Sequence, residues 1–126
     1  MIGATTGLEK SVKCTAAVAA WTLAKFGADD DTMSPGAAAT DNVVGVFQHA
    51  TTVANEEVRV MLSGISRVKL GGTVTRGDLI GSDASGQGVT VAPAAGTNNR
   101  IVGLAMASGV SGDIIPVLIN PSRPQG

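Results

Sequence analysis

Aromatic side chains are almost missing from this sequence: Trp21, Phe26 and Phe47 stand alone among 126 residues, and there is no tyrosine. Large rings usually dominate the buried area of a small domain, so a lone subunit has few anchors and is expected to gain stability by association. Cysteine is as scarce. Cys14 is the sole one, which excludes a disulfide within the chain and a cysteine zinc cluster. Charge of one sign is lacking too: nine Lys and Arg and ten Asp and Glu, scattered without a block of either, leave no electrostatic footprint for nucleic acid or an anionic membrane. Long apolar runs are absent, and no uncharged segment reaches the ~18 predominantly apolar residues of a membrane span. The run from Cys14 to Ala24 follows Lys10 and Lys13 and has the outline of a signal peptide. It holds few strongly apolar residues and begins well inside the chain, so no cleaved leader is expected. The sequence reads as a soluble chain with no nucleic-acid and no membrane partner.

Residues that carry chemistry are thin. His49 is the only histidine, and nothing in sequence ties it to Cys14 as a nucleophile and base pair. Asp29, Asp30 and Asp31 are consecutive, whereas a calcium loop needs ligands at alternate positions, a glycine at the sharp turn and a closing glutamate. Arg76, Gly77 and Asp78 spell an adhesion tripeptide, but their place between Val74 and Leu79 is that of a tight turn, with Gly77 supplying a positive φ and Asp78 capping through its carboxylate. Gly71 and Gly72, and Gly86 and Gly88, open no helix and so lack the setting of a phosphate-binding loop. No enzyme, no cofactor, no metal site and no small-molecule substrate is expected.

What is present is short apolar alternation punctuated by glycine. Val, Leu, Ile and Phe make up 31 residues, enough for one core in a chain of this length. Val43 to Phe47, Val58 to Leu62, Ile65 to Leu70, Leu79 with Ile80, Val89 to Val91, Ile101 to Met106 and Ile114 to Ile119 read as strands separated by turns. Cys14 to Lys25 is compatible with a short Ala-rich helix as well as with a strand. Gly27 to Thr40 reads as a long, polar, exposed loop.

Self-similarity organises these strands. Asp41 to Val46 matches Asn99 to Leu104, Glu56 to Leu62 lines up with Asp113 to Ile119 after a one-residue gap, and Val18 to Leu23 faces Val74 to Leu79. A unit of this size cannot cover its own apolar face or its edges, and two packed about a pseudo-two-fold axis would bury both. The expected fold is therefore all-β, a small β-barrel or β-tulip built from two related strand-turn-strand units. Residues 1–13 form a flexible arm, 14–119 the β domain (repeats at about 14–62 and 68–119), and 120–126 a frayed tail.

In the second repeat, "VKLGGTVTRGDLIGSDASGQGVTVAP" followed by "NRIVGLAMASGVSGDIIPVLI" resembles the phage family described as capsid cement or decoration proteins, formerly a domain of unknown function. The matching features are the turn at Arg76 to Ile80, the loop Asp83 to Gly88, the strand end Val91 to Ala94, the strand Val102 to Ala105 and the closing strand Gly112 to Val117. The resemblance covers Val68 to Ile119, and the first half departs from it by carrying Trp21 and Thr22 at the turn. It implies a virion protein on the outer surface of the capsid, a homotrimer bound to the major capsid protein that stabilises the shell. A free-standing β-barrel binding module and a minor tail or head-fibre component remain as alternatives. Candidates for capsid or subunit contact are Ile2, Thr5, Thr6 and Leu8, whose segment could add a strand to a neighbour's sheet edge, and the three aromatics Trp21, Phe26 and Phe47.

Overall fold

A computed structural model describes residues 7–92, 95–96 and 98–123 of the chain, and among them there is no helix. No helix is therefore long and apolar enough to cross a membrane. Ten strands follow in order: β1 Glu9–Cys14, β2 Leu23–Phe26, β3 Thr32–Pro35, β4 Val43–Phe47, β5 Glu57–Met61, β6 Gly64–Lys69, β7 Leu79–Ser82, β8 Gly88–Thr90, β9 Ile101–Ala105 and β10 Ile114–Ser122. The first five close into a barrel in the order β1-β3-β2-β4-β5, and the last five form a sheet in the order β6-β10-β9-β7-β8. Leu70, just past β6, bridges in parallel to Gly88 of β8 and so links the two edges of that sheet.

The two units share one blueprint, legible in the hydrogen-bond register. In the first, Leu23 faces Val46, Val46 faces Met61, and Met61 faces Glu9. In the second, Leu79 faces Leu104, Leu104 faces Leu118, and Leu118 faces Ile65. The rare parallel pairing recurs as well, Cys14 with Met33 and Leu70 with Gly88. A bridge between the turn before the second strand and the loop after the fourth is also repeated. Val74 and Gly109 exchange two backbone bonds, while Val18 and Thr51 exchange one backbone bond and one through the Thr51 hydroxyl. Duplication explains why the apolar alternation of β4 and β5 returns in β9 and β10.

Register also accounts for the glycine inside each "VG" strand. Gly45 lies beside β5 so closely that a Cβ there would strike the Met61 carbonyl oxygen, and a Cβ on Gly103 would strike the Leu118 carbonyl. The two units therefore require a bare backbone at the same place for the same reason.

Three expectations are corrected and one left open is decided. The arm ends earlier than residue 13, because Glu9 to Lys13 pair along β5 as the first strand of the barrel. The supposed loop 27–40 contains β3, which pairs with β2 and buries Thr32 and Met33. Of the two readings left open for Cys14 to Lys25 the helix is excluded: Cys14 ends β1, residues 15–22 are irregular and turn, and Leu23 opens β2. The tail is not frayed from residue 120: β10 runs on to Ser122, which pairs with Ile101 past an irregularity in register that accommodates Pro121.

The units do not meet about a two-fold axis. A pseudo-two-fold joint would bury equivalent residues on both sides. Instead Leu23 and Val46 of the first unit are fully buried in one cluster with Val68, Leu70, Ile80 and Val102 of the second. Their counterparts Leu79 and Leu104 stay partly exposed, Leu104 at 38%. Across the joint β4 packs on β6, β9 and β10, and the turn between β7 and β8 adds a hydrogen bond, the Leu23 amide donating to the Gly86 carbonyl at 2.8 Å with Gly86 lying against Pro35 and Thr22. The contact is head to tail. A second cluster, Val12, Cys14, Val18, Ala24, Met33, Phe47, Val58 and Val60, fills the first barrel alone.

The turn ahead of the second strand shows where the copies have diverged. Gly77 sits at φ 96° and its counterpart Trp21 at φ 66°, a left-handed conformation that a bulky side chain rarely adopts. Neighbours hold Trp21 there: its amide donates to the Phe47 carbonyl at 2.9 Å, its carbonyl accepts from the Lys69 amide at 2.9 Å, and the Arg67 guanidinium lies 5.6 Å from the ring centre. A Cβ on Gly77 would meet nothing within 4 Å, so Gly77→Ala isolates the backbone term. It should cost about 1 kcal/mol and lower Tm by a few degrees, read by thermal melting.

Candidate functional site

The residues with catalytic potential are apart and individually satisfied. Cys14 is buried in the first barrel, its Sγ 3.3 Å from both the Thr51 hydroxyl and the Val53 carbonyl. His49 lies half-buried after β4, where Nε2 accepts from the Arg59 amide at 3.3 Å and Nδ1 sits 3.3 Å from the Ala50 carbonyl. It lines a shallow open groove of about 340 Å³ with Ser11, Glu57, Val58 and Arg59. Asp78 is committed to its turn, with one carboxylate oxygen accepting from the Thr75 amide and from the Thr90 hydroxyl, both at 2.9 Å. Among the described residues no group of three His, Cys, Asp or Glu is placed to hold a metal ion.

Two loop carboxylates are held below the ordinary carboxylate range by the bonds they accept. At Glu56 the main cause is the Thr52 hydroxyl at 2.7 Å, reinforced by the Thr52 and Val53 amides. At Asp41 it is the Ala37 amide at 2.8 Å, opposed by burial and assisted by Lys25 at 3.1 Å. Because both groups titrate lower in the folded chain, their stabilisation is present above the unfolded pKa and is lost as pH falls through the folded one. Glu56→Gln and Asp41→Asn should each flatten the fall in Tm between about pH 5 and about pH 3, measured by melting across that series.

The contact candidates fall in different places. Ile2, Thr5 and Thr6 lie outside the described residues. Leu8 is 62% exposed, and its carbonyl accepts from the Leu62 amide at 2.7 Å, extending the β1–β5 ladder by one step. Phe47 is a core residue of the first barrel, fully buried. Trp21 lies half-buried where the units join, and Phe26 projects from the end of β2 at 57% exposure.

The largest concentration of exposed apolar side chains is one that sequence reasoning passed over. On the outer face of β9 and β10, Leu104, Met106, Ile114 and Leu118 are each between 37% and 43% exposed. Partly buried Leu79 and Ile65 continue the Leu104–Leu118 row on either side. Beside it Met106, Ile114 and Pro116 line an open groove of about 320 Å³. The alternation in Ile114 to Ile119 could have announced two apolar faces, since Leu118 follows Val117 and precedes Ile119 in an unbroken run.

A duplicated five-stranded β unit with an exposed apolar sheet face and no assembled catalytic set among the described residues thus defines the class of architecture. No protein-family model matches the chain. No curated protein matches it. Among solved structures it is similar to the crystal structure of the N base of head fiber gp8.5 in bacteriophage phi29, with a TM-score of 0.67 at 17% identity, over 94% of this chain and 98% of that one. At that identity the likeness shows a shared fold.

Proposed function

We propose that this chain is a structural, non-enzymatic protein of a phage head, a decoration or cement protein bound to the outer capsid surface as a homotrimer with the major capsid protein as its partner. The observation that carries the reading is the end-to-end correspondence of fold with a head-fibre base, both chains being matched almost throughout. The motifs from Val68 to Ile119 resemble the cement family independently, and the scarcity of large buried rings fits a subunit stabilised by association. A protein that reinforces a shell needs no reactive centre, only a stiff scaffold and repeated contacts whose avidity multiplies weak individual binding.

The similar structure's name favours a second reading, that the chain is the base of a head fibre and anchors something further from the shell. Both readings place it on the head. Purified chain mixed with heads that lack it, but carry the cognate major capsid protein, should co-sediment saturably and raise the temperature at which packaged DNA escapes. Cryo-electron microscopy of those heads should show projections on the outer surface. Heads that bind no chain at saturating concentration overturn the proposal, and binding without any change in DNA retention favours the fibre base over the cement.

A further inference from the structure

The joint between the units has two unlike sides, and the duplication leaves a second copy of each side open. The first unit contributes Leu23 and Val46, the second contributes Val102 of β9 and Ile119 of β10, and all four belong to one cluster and are at most 4% exposed. Strand β4 meets β6, β9 and β10 there. Leu79 and Leu104 are the counterparts of Leu23 and Val46 by register, and Val44 and Leu62 are the counterparts of Val102 and Ile119 by the sequence repeat. Every counterpart is uncovered: Leu104 is 38% exposed, and Leu79, Val44 and Leu62 are only partly buried. Each pair differs in the same direction, closed where the joint reaches and open where it does not.

We propose that the joint is repeated between molecules, with β9 of one copy, carrying Leu79 and Leu104, packed on the β1–β4–β5 side of a second copy at Val44 and Leu62. The occupant is a second copy because both open sides belong to this chain, and their counterparts already pack together within it. Charge agrees with that choice. Residues 1–62 hold seven acidic and four basic side chains, net −3, and residues 63–126 hold three and five, net +2, so the contact sets an acidic unit against a basic one. Arg67 and Lys69 border the open row on β6, opposite Pro116 and Ile114. The second unit's own carboxylates, Asp78, Asp83 and Asp113, each accept an amide of their own turn. Only the apolar part of the joint recurs, since the Lys69 amide bonds across it to the Trp21 carbonyl whereas the Lys13 amide is taken by the Asp31 carbonyl of its own unit. The contact is heterologous, and successive copies close into a ring when the rotation per copy allows it. This deepens the homotrimer part of the reading above and rests on that reading only for the number of copies.

The test uses the full chain and light scattering coupled to sedimentation. Wild type should associate. Leu104→Glu on one side and Val44→Lys on the other should each weaken self-association by about 30-fold or more while leaving the circular dichroism spectrum unchanged. Leu118→Glu and Leu62→Lys replace them should either fail to fold. An equimolar mixture of Leu104→Glu and Val44→Lys should recover a heterodimer, since the first keeps the Val44 side and the second keeps the Leu104 side. A Val44→Lys chain that assembles like wild type means that the row meets something other than this side, and overturns the joint. A Leu104→Glu chain that assembles like wild type, a mixture that stays monomeric, or a wild-type chain monomeric to about 0.1 mM overturns it as well. Wild type that forms the ring but ignores heads sinks the head assignment alone, and monomeric wild type that decorates heads sinks the joint alone.

Discussion

Replacing Val102 with aspartate should leave no folded protein at 25 °C. Val102 has no exposed surface and packs in the cluster that joins the two units, among Leu23, Val46, Leu70 and Ile80. A carboxylate there either stays charged without a partner or takes up a proton, and with the lost packing either outcome costs several kcal/mol. A small domain has about 5–15 kcal/mol in total, so the loss is comparable to the whole. The register makes Val44 its counterpart in the first unit, but Val44 is only half-buried at the edge of the first-barrel cluster. Val44→Asp should therefore fold with a loss nearer 1–3 kcal/mol. Circular dichroism and urea denaturation of the pair decide the matter: a Val102→Asp chain melting within a few degrees of wild type means the cluster is not the joint described.

Gly103→Ala should destabilise by about 3 kcal/mol or more, the upper end of what overpacking usually costs. The added methyl would overlap the Leu118 carbonyl, and the obstacle is backbone in the best-paired part of the second sheet, where β10 lies between β6 and β9. Backbone cannot rotate aside as a side chain can, so the strands must part or slide. Gly45→Ala meets the Met61 carbonyl in the equivalent place and should cost a similar amount. Both should far exceed Gly77→Ala, where only the sign of φ opposes the methyl. Urea midpoints for the three variants, at an unchanged slope, should rank them with Gly77→Ala mildest. Equal losses at all three positions would refute the close-approach explanation of the "VG" strands.

Sequence by itself determined the all-β class, the duplication and the place of each strand in which apolar residues alternate strongly. β4, β5, β9 and β10 were legible because Val, Ile and Leu recur there with glycine at matched positions, and the turn at Gly77 and Asp78 because its residue types have one economical backbone conformation. Tertiary structure alone decided the rest. β1 and β3 are short and polar outward, with little inward beyond Val12, Cys14 and Met33, so their strand character comes from the partners that hydrogen-bond to them and not from periodicity. Trp21 occupies a glycine conformation because Phe47, Lys69 and Arg67, remote in sequence, grip it. Two equivalent rows of apolar residues differ in fate, one covered and one open, because a head-to-tail joint has two unlike sides, and no local pattern within a duplicated unit records which side it will occupy.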